Sequence, residues 1–392
     1  MSGELKTLVF PDLEGNLRAL HTENTGRKYF DGSSIEGFQP IEDSDLAFEP
    51  LEDIEPRELF GRDLYMCGIY TPERERYEKD PRKILEDTLE ELEEKGYSAK
   101  VGVEPEFFLL DEDGDAIDDA EYFDLTVSEI IAEAREEMKE ADIAVQGYHS
   151  EVAGSQWEKK TDFTDKSPLE VADETLLYKK IVREKAAEKG LKASFDPKPF
   201  ESENGSGMHM HFSLWKEGEN LFSGGRYEDD SKRENISKEA EYFIGGILEH
   251  ADALSAVVSA TESSYNRIVP GKEAPTKKVA GHRNRSCLVR IPAFDSEGSA
   301  RIEYRAPDPS CNPYLALSTA LKAGMHGIEE EIEPEMMEEY GNENENAYEA
   351  EEVEELPGSL SEALGYLEED EVVRDALGEA FASYLELKRD KE

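Results

Sequence analysis

The stretch Asn204-Gly-Ser-Gly-Met208-His209-Met210-His211-Phe212-Ser213 narrows what this chain can fold into more than any other. From Met208 onward apolar and polar residues alternate strictly, and a β-strand turns successive side chains to opposite faces. Met208, Met210 and Phe212 therefore share one face, and His209, His211 and Ser213 share the other. The apolar face needs a core, so the strand belongs to a sheet covered on one side. Its other side turns two imidazoles and a hydroxyl toward a polar space. Gly205 and Gly207, just ahead, permit close approach of the backbone to a ligand. Two distant segments obey the same rule. Val103-Glu104-Pro105-Glu106-Phe107 puts two carboxylates on one face, and Arg301-Ile302-Glu303-Tyr304-Arg305 puts an arginine, a glutamate and an arginine on one. A single stripe of this kind is usually a solvated face. Three of them, carrying His, paired Glu and Arg, point to one polar cavity lined by a sheet.

The rest of the chain supplies the frame. Residues 5–10 and 17–20 read as strands joined by a turn at 11–16, and 64–70 as another strand. Residues 29–35 form a Gly/Ser loop that holds Asp31. These make residues 1–78 a small β-rich domain, with 79–392 a second, larger one. After Asp80-Pro81 the pattern becomes helical over 84–95, 127–141, 169–189, 240–261 and 313–328, with closing helices in 359–388. Residues 329–356 read as an acidic, mobile connection. Helices and antiparallel-looking strands mix without βαβ regularity, so the expected class is α+β. His21, His149, His250, His282 and His326 show no partner pattern and read as structural or surface groups.

Charge excludes some functions. The chain has 93 Asp+Glu against 44 Lys+Arg, a net charge of -49. That field repels nucleic acid and anionic membranes, which are set aside as partners. The acids are spread along the whole sequence, as on a surface adapted to high salt. Cys67, Cys287 and Cys311 are scattered and lack CxxC spacing, which suits a reducing cytoplasm. Residues 1–10 are too short and polar for a signal peptide, and no apolar run reaches membrane-spanning length.

The three stripes also carry a chemistry. Glu104, Glu106, Glu303 and His209 offer hard oxygens with one imidazole, a donor set suited to Mg²⁺ or Mn²⁺. Glu151 and Glu158, either side of a Gly turn, add two more carboxylates. So many on one ion would over-charge it; two or more divalent cations with phosphate between them balance the sum. Arg283, Arg285, Arg290, Arg301 and Arg305 crowd into a short span of an otherwise acidic chain, as in sites for phosphate or carboxylate. Together these describe phosphoryl transfer. No GxxxxGK[ST] loop, GxGxxG fingerprint or GxSxG elbow occurs. Taken singly, Glu104/Glu106 is a strand face, Arg283/Arg285 a salt-bridging pair, and Asp31 a turn residue.

Seven segments add a resemblance: FDGSSIEGF (30–38), VEPEFFL (103–109), SEVAGSQWE (150–158), NGSGMHMHFSL (204–214), SSYNRIVPGKEAP (263–275), RNRSCLVRIP (283–292) and RIEYRAPDPSCNPYLA (301–316). In that order they resemble the type I glutamine synthetase family over nearly the whole chain. The resemblance implies a β-grasp-like N-terminal domain and a catalytic domain around a curved antiparallel sheet. It also implies a dodecamer with active sites between subunits. Glu106, Glu151 and Glu158 would hold one metal, and Glu104, His209 and Glu303 a second. Arg267, Asn204, Gly205 and Arg305 would grip L-glutamate. Phe163, His211, Ser213 and Arg301 would bind ATP, with Arg285 and Arg290 on its phosphates. Asp31 of a neighbouring subunit, helped by Ser34, Tyr122 and Glu151, would take the proton of ammonium, and Glu273 would close the site. ATP would first phosphorylate the glutamate side chain, and an amine would then displace phosphate.

The chain departs from the family at several points. Its N-terminal domain is shorter, Trp157 brings bulk next to the metal cage, and Lys272 stands where an aromatic is usual. These leave a γ-glutamyl-amine ligase using a larger amine, or a catalytically weak regulatory paralogue, as alternatives to ammonia ligation. The charge itself is testable. Raising KCl from about 0.1 M to 1 M shortens the screening length from about 10 Å to about 3 Å. The thermal midpoint followed by circular dichroism should rise steadily over that range; a midpoint indifferent to KCl would remove the high-salt reading.

Overall fold

The computed structural model describes residues 5–117, 125–160, 165–224, 236–337, 339–340, 343–344 and 346–391. Tyr122 and Phe163 lie outside the described residues. Strands β1 (Lys6–Pro11), β2 (Leu17–Thr22), β3 (Lys28–Asp31), β4 (Asp45–Pro50), β5 (Arg57–Leu59) and β6 (Arg62–Tyr70) form one sheet in the order β2-β1-β6-β4-β3, with β5 on β6. β1 and β6 run parallel, and the other pairs antiparallel. The rings of Phe10, Phe30 and Phe48 pack with centroids 5.0–5.6 Å apart on its inner face.

The larger sheet has nine strands. Between them run the helices α1 (Pro81–Glu94), α2 (Leu125–Glu140), α3 (Pro168–Glu188), α4 (Lys238–Glu249), α5 (Ala251–Val258), α6 (Glu262–Arg267), α7 (Pro313–Glu329), α8 (Leu360–Glu369), α9 (Glu371–Leu377) and α10 (Phe381–Arg389). The strands are β7 (Ser98–Leu110), β8 (Gly147–Ser150), β9 (Gln156–Lys160), β10 (Lys192–Ser194), β11 (Met208–Lys216), β12 (Glu219–Asn220), β13 (Ala280–His282), β14 (Val289–Ile291) and β15 (Ile302–Tyr304). The main path is β13-β14-β15-β11-β7-β9-β8, antiparallel except for β13 beside β14. The mixed, largely antiparallel sheets with segregated helices make the protein α+β, as the patterning implies. Met208, Met210 and Phe212 are fully buried, Phe212 against Phe243 of α4, within one cluster that takes in residues of α4, α5 and α7, Leu8 and Phe10 of β1, and Phe38 of the loop after β3.

Local signals account for the helix starts. Asp80 caps α1 with Pro81 in its first turn, and Ser167 and Glu170 close a capping box on α3 around Pro168. Three helices are tied by a buried cluster. Arg82 of α1 meets Asp173 of α3 at 3.2 Å, and the Tyr314 hydroxyl of α7 donates to the same carboxylate at 2.5 Å.

Two expectations are revised. The helix expected over 240–261 breaks at His250 into α4 and α5. His250 Nδ1 meets Asp370 Oδ2 at 2.7 Å and its Nε2 meets His326 Nδ1 at 2.9 Å, so two of the histidines without a pattern form one hydrogen-bonded chain. Their partners are 120 and 76 residues away, beyond the reach of local periodicity. The acidic connection is docked where it is described. Ala347 is buried and its N–H donates to Ser286 Oγ at 2.9 Å, while Leu356 N–H donates to Thr276 O at 2.9 Å.

Asp173→Ala should lower unfolding free energy by about 3–5 kcal/mol, because it leaves Arg82 buried without a counter-charge. Guanidinium chloride unfolding at constant high KCl checks it, and a loss under 1 kcal/mol would mean that the pair behaves like an exposed one.

Candidate active site

Strand register builds the site. Glu106 of β7 lies directly opposite Glu158 of β9, and Glu158 in turn opposite His149 of β8. Glu104 is opposite His209, His211 opposite Glu303, and Glu303 opposite Arg290 of β14. Opposed residues share a face, so six strands deliver one continuous row of acids, imidazoles and an arginine. The row floors a cavity of about 270 Å³. Gly205, Arg267, Glu273, Arg285, Arg301 and Arg305 complete its walls with Glu151. Fourteen of the sequence-derived site residues thus meet in one space.

Four others that are described do not line it. Asn204 precedes wall residue Gly205, and Ser213 is buried, accepting a bond from Trp215 Nε1 at 2.8 Å. Asp31, at the end of β3, and Ser34, in the short 3-10 turn that follows it, do not line this cavity. Asp31 Oδ1 accepts from Ser33 N–H and Oγ, the turn bond expected of it, and those bonds hold its carboxyl below the usual range.

The floor carries more negative charge than it can hold alone. Burial, then the neighbouring Glu158 and Glu151, push Glu106 well above the ordinary carboxyl range. Burial and Glu158 raise Glu151 to about 7. Glu158 goes the other way: burial opposes its charge, but bonds from His149 and His209 bring it down to about 2. His149 Nε2 lies 3.0 Å from Glu158 and Nδ1 3.3 Å from Glu151, and the bond to Glu158 lifts the imidazole to about 9. On the far side burial again opposes ionisation of Glu303, yet Arg305, at 2.7 Å, with His211, His209 and Arg290 holds it well below the usual range. Glu104 is bonded to His211 Nε2 at 2.9 Å.

Two glycines let this geometry close. A side chain at Gly205 would meet Pro197 O at 2.3 Å and Arg267 Cγ at 2.7 Å. One at Gly207 would meet His209 Nε2 at 2.8 Å and Arg267 Nη2 at 2.9 Å. The Gly207 N–H instead donates to Glu106 at 3.0 Å.

Known proteins resemble this chain in sequence and fold. The family model of the glutamine synthetase catalytic domain matches residues 78–392. The glutamine synthetase of Pyrococcus abyssi is 42% identical over 375 residues, spanning 92% of this chain and 82% of that protein. The chain belongs to the glutamine synthetase family. Another member, from Halobacterium salinarum, is 39% identical over 376 residues, 90% of this chain and 80% of that one. Among solved structures, a GmaS/ADP complex superposes with a TM-score of 0.87 at 31% identity, covering 99% of this chain and 93% of the other.

Divalent metal fits this glutamine synthetase floor. Ligand atoms of Glu106, Glu158 and His209 lie within 4.8 Å of one another, as do those of His149, Glu151 and Glu158. The raised Glu106 and Glu151 are what a carboxylate cluster shows when a cation would be welcome. Two members of the site escaped the sequence. His149 follows Tyr148 in a strand too short to show alternation, and Gln156, whose Nε2 donates to Glu106 at 2.7 Å, carries no sequence signal of its own. One expectation is corrected: Trp157 sits on the opposite face of β9 from Glu158, paired across the strands with Phe107 in the apolar cluster that also holds Leu177 and Tyr178, and adds no bulk to the cage.

Gly207→Ala should cut turnover by roughly a hundredfold, since it displaces His209 or Arg267 by a fraction of an ångström or more. Steady-state kinetics alongside an unchanged thermal midpoint would check this; near-normal turnover would show that the floor tolerates the added methyl.

Proposed function

We propose a residue-by-residue division of labour for the reaction of this chain, the ATP-dependent joining of ammonia to the side chain of L-glutamate to give glutamine. What carries it is the single row of carboxylates and imidazoles facing an arginine wall in one cavity. Divalent cations, Mg²⁺ or Mn²⁺ and two or more per site, would be held by Glu106, Glu151 and Glu158 and by Glu104, His209 and Glu303; bound there, they offset phosphate charge. Arg285 and Arg290 meet the phosphates. Arg301 and His211, with Ser213 and Phe163, hold the rest of ATP. Arg267 and Arg305, with Asn204 and Gly205, orient glutamate so that its side-chain oxygen attacks the terminal phosphorus and ADP leaves. Fixed guanidinium groups stabilise the charge that moves, with no rearrangement at the moment of transfer.

The acyl phosphate then needs a free amine, and ammonium must first lose a proton. Asp31, assisted by Ser34, Tyr122 and Glu151, takes it, and Glu273 covers the site against water. Asp31 is exposed at the end of β3, and the same end of the chain exposes two large apolar side chains, Tyr29 of that strand and Ile41 of a later turn, at 65% and 79%. That supports a division in which residues 1–78 of one copy serve the cavity formed by residues 79–392 of the next, in a dodecamer. Three free, buried cysteines and the lack of a membrane-crossing helix among the described residues support a cytoplasmic setting.

Glutamine formation and phosphate release would be measured in molar KCl with ammonium, methylamine, ethanolamine or putrescine. Ammonium should give the highest turnover, and Asp31→Ala should lower it by at least about a hundredfold with ATP affinity intact. Full activity in Asp31→Ala would sink the role given to Asp31, and a larger amine outrunning ammonium would sink the assigned substrate.

A further inference from the structure

The rim segment 269–274 leaves α6 just after Arg267 and contributes Lys272, Glu273 and Ala274 to the cavity. Its turn closes with Lys272 N–H donating to Val269 O at 3.3 Å. Gly271 and Glu273 both adopt left-handed backbone, φ +79 and +65. Glycine takes that conformation freely, but a glutamate there is strained and persists only when its surroundings hold it. Two hydrogen bonds do so, one received from a wall and one sent out from the segment to the other wall. Arg305 Nη2 donates to Glu273 O at 3.4 Å, and the Lys272 ammonium donates to Ser202 O.

Ser202 opens the loop that runs through Asn204 and Gly205 to the floor at Gly207. This loop is pinned by Ser206 N–H to Pro197 O at 2.9 Å and by Lys198 Nζ to Glu203 O. Among the described residues Lys272 has no carboxylate within ion-pair distance, although the chain carries 93 acids. Its charge is committed to a backbone carbonyl of the other wall.

We propose that Lys272 is a positioning residue that latches segment 269–274, and Glu273 with it, to the loop that holds glutamate. The cavity then closes when residues 202–207 are in place around glutamate and opens when they shift. The inference rests on the proposed function, because the latch matters most while an acyl phosphate is waiting for the amine. If the rim opens early, water attacks in place of the amine. Glutamate and phosphate are released, and one ATP has been hydrolysed to ADP without a C–N bond being made.

Lys272→Met and Lys272→Arg test this against the wild type. Glutamine and phosphate are counted in the same assay at saturating ammonium. Lys272→Met should raise the KM for glutamate roughly tenfold, leave the KM for ATP unchanged, and release more phosphate than glutamine. Lys272→Arg, which keeps a cationic donor, should restore the wild-type ratio. A wild-type ratio and KM in Lys272→Met would overturn the latch, as would Lys272→Arg failing as badly as Lys272→Met. A wild-type protein that makes no glutamine would instead overturn the proposed function. Hydrogen exchange still decides the latch in that case: L-glutamate alone should protect the amides of 269–274 in the wild type and not in Lys272→Met, and equal protection in both would end the proposal.

Discussion

Everything in the cavity depends on two carboxylates that the β7–β9 register places directly opposite each other, Glu106 and Glu158. Like charges so opposed repel, and burial denies them water as relief. The surroundings answer with named donors. The Gly207 amide and Gln156 bond to Glu106, and His149 and His209 lean on Glu158. The pair splits as a result, one carboxyl driven up and the other down. Such a site is tense by design of its register, and relieving that tension with a cation and a phosphate is the first thing it can do for a substrate.

The arginines solve a different problem. In a chain of net charge -49 any cation has many acids to choose from. Arg267 nevertheless spends its fork on the carbonyls of Ala306 and Arg305, at 2.8 and 3.2 Å. Burial lowers its pKa from the ordinary arginine value. Bonding to neutral carbonyls fixes the side chain's direction and leaves its charge unspent, a useful condition for a group meant to meet an anion.

What the sequence revealed and what it hid follow from the range of each signal. Alternation over Met208 to Ser213 is local, so the strand, its buried face and the polar face of His209 and His211 were legible, as were the carboxylate stripes and the α+β class. Register between strands is not local. Nothing near His149 announces Glu158 across β8 and β9, and nothing near His250 announces Asp370 and His326. Trp157 misled for a related reason: adjacency in sequence suggested a place in the cage, whereas a strand sends neighbours to opposite faces. The family motifs reached further because they carry such long-range pairings implicitly, residue by residue.

The position of Asp31 on the outer face of a separate sheet has a consequence for how the molecule tolerates damage. On the proposed reading each complete site draws on two chains, so no single folded chain is an enzyme and the catalyst is the contact between copies. Specific activity would then fall on dilution faster than the chain concentration, through mass action alone. A chain harmed in its first sheet and a chain harmed in its second could still build intact sites when mixed, each lending the other the half it lacks.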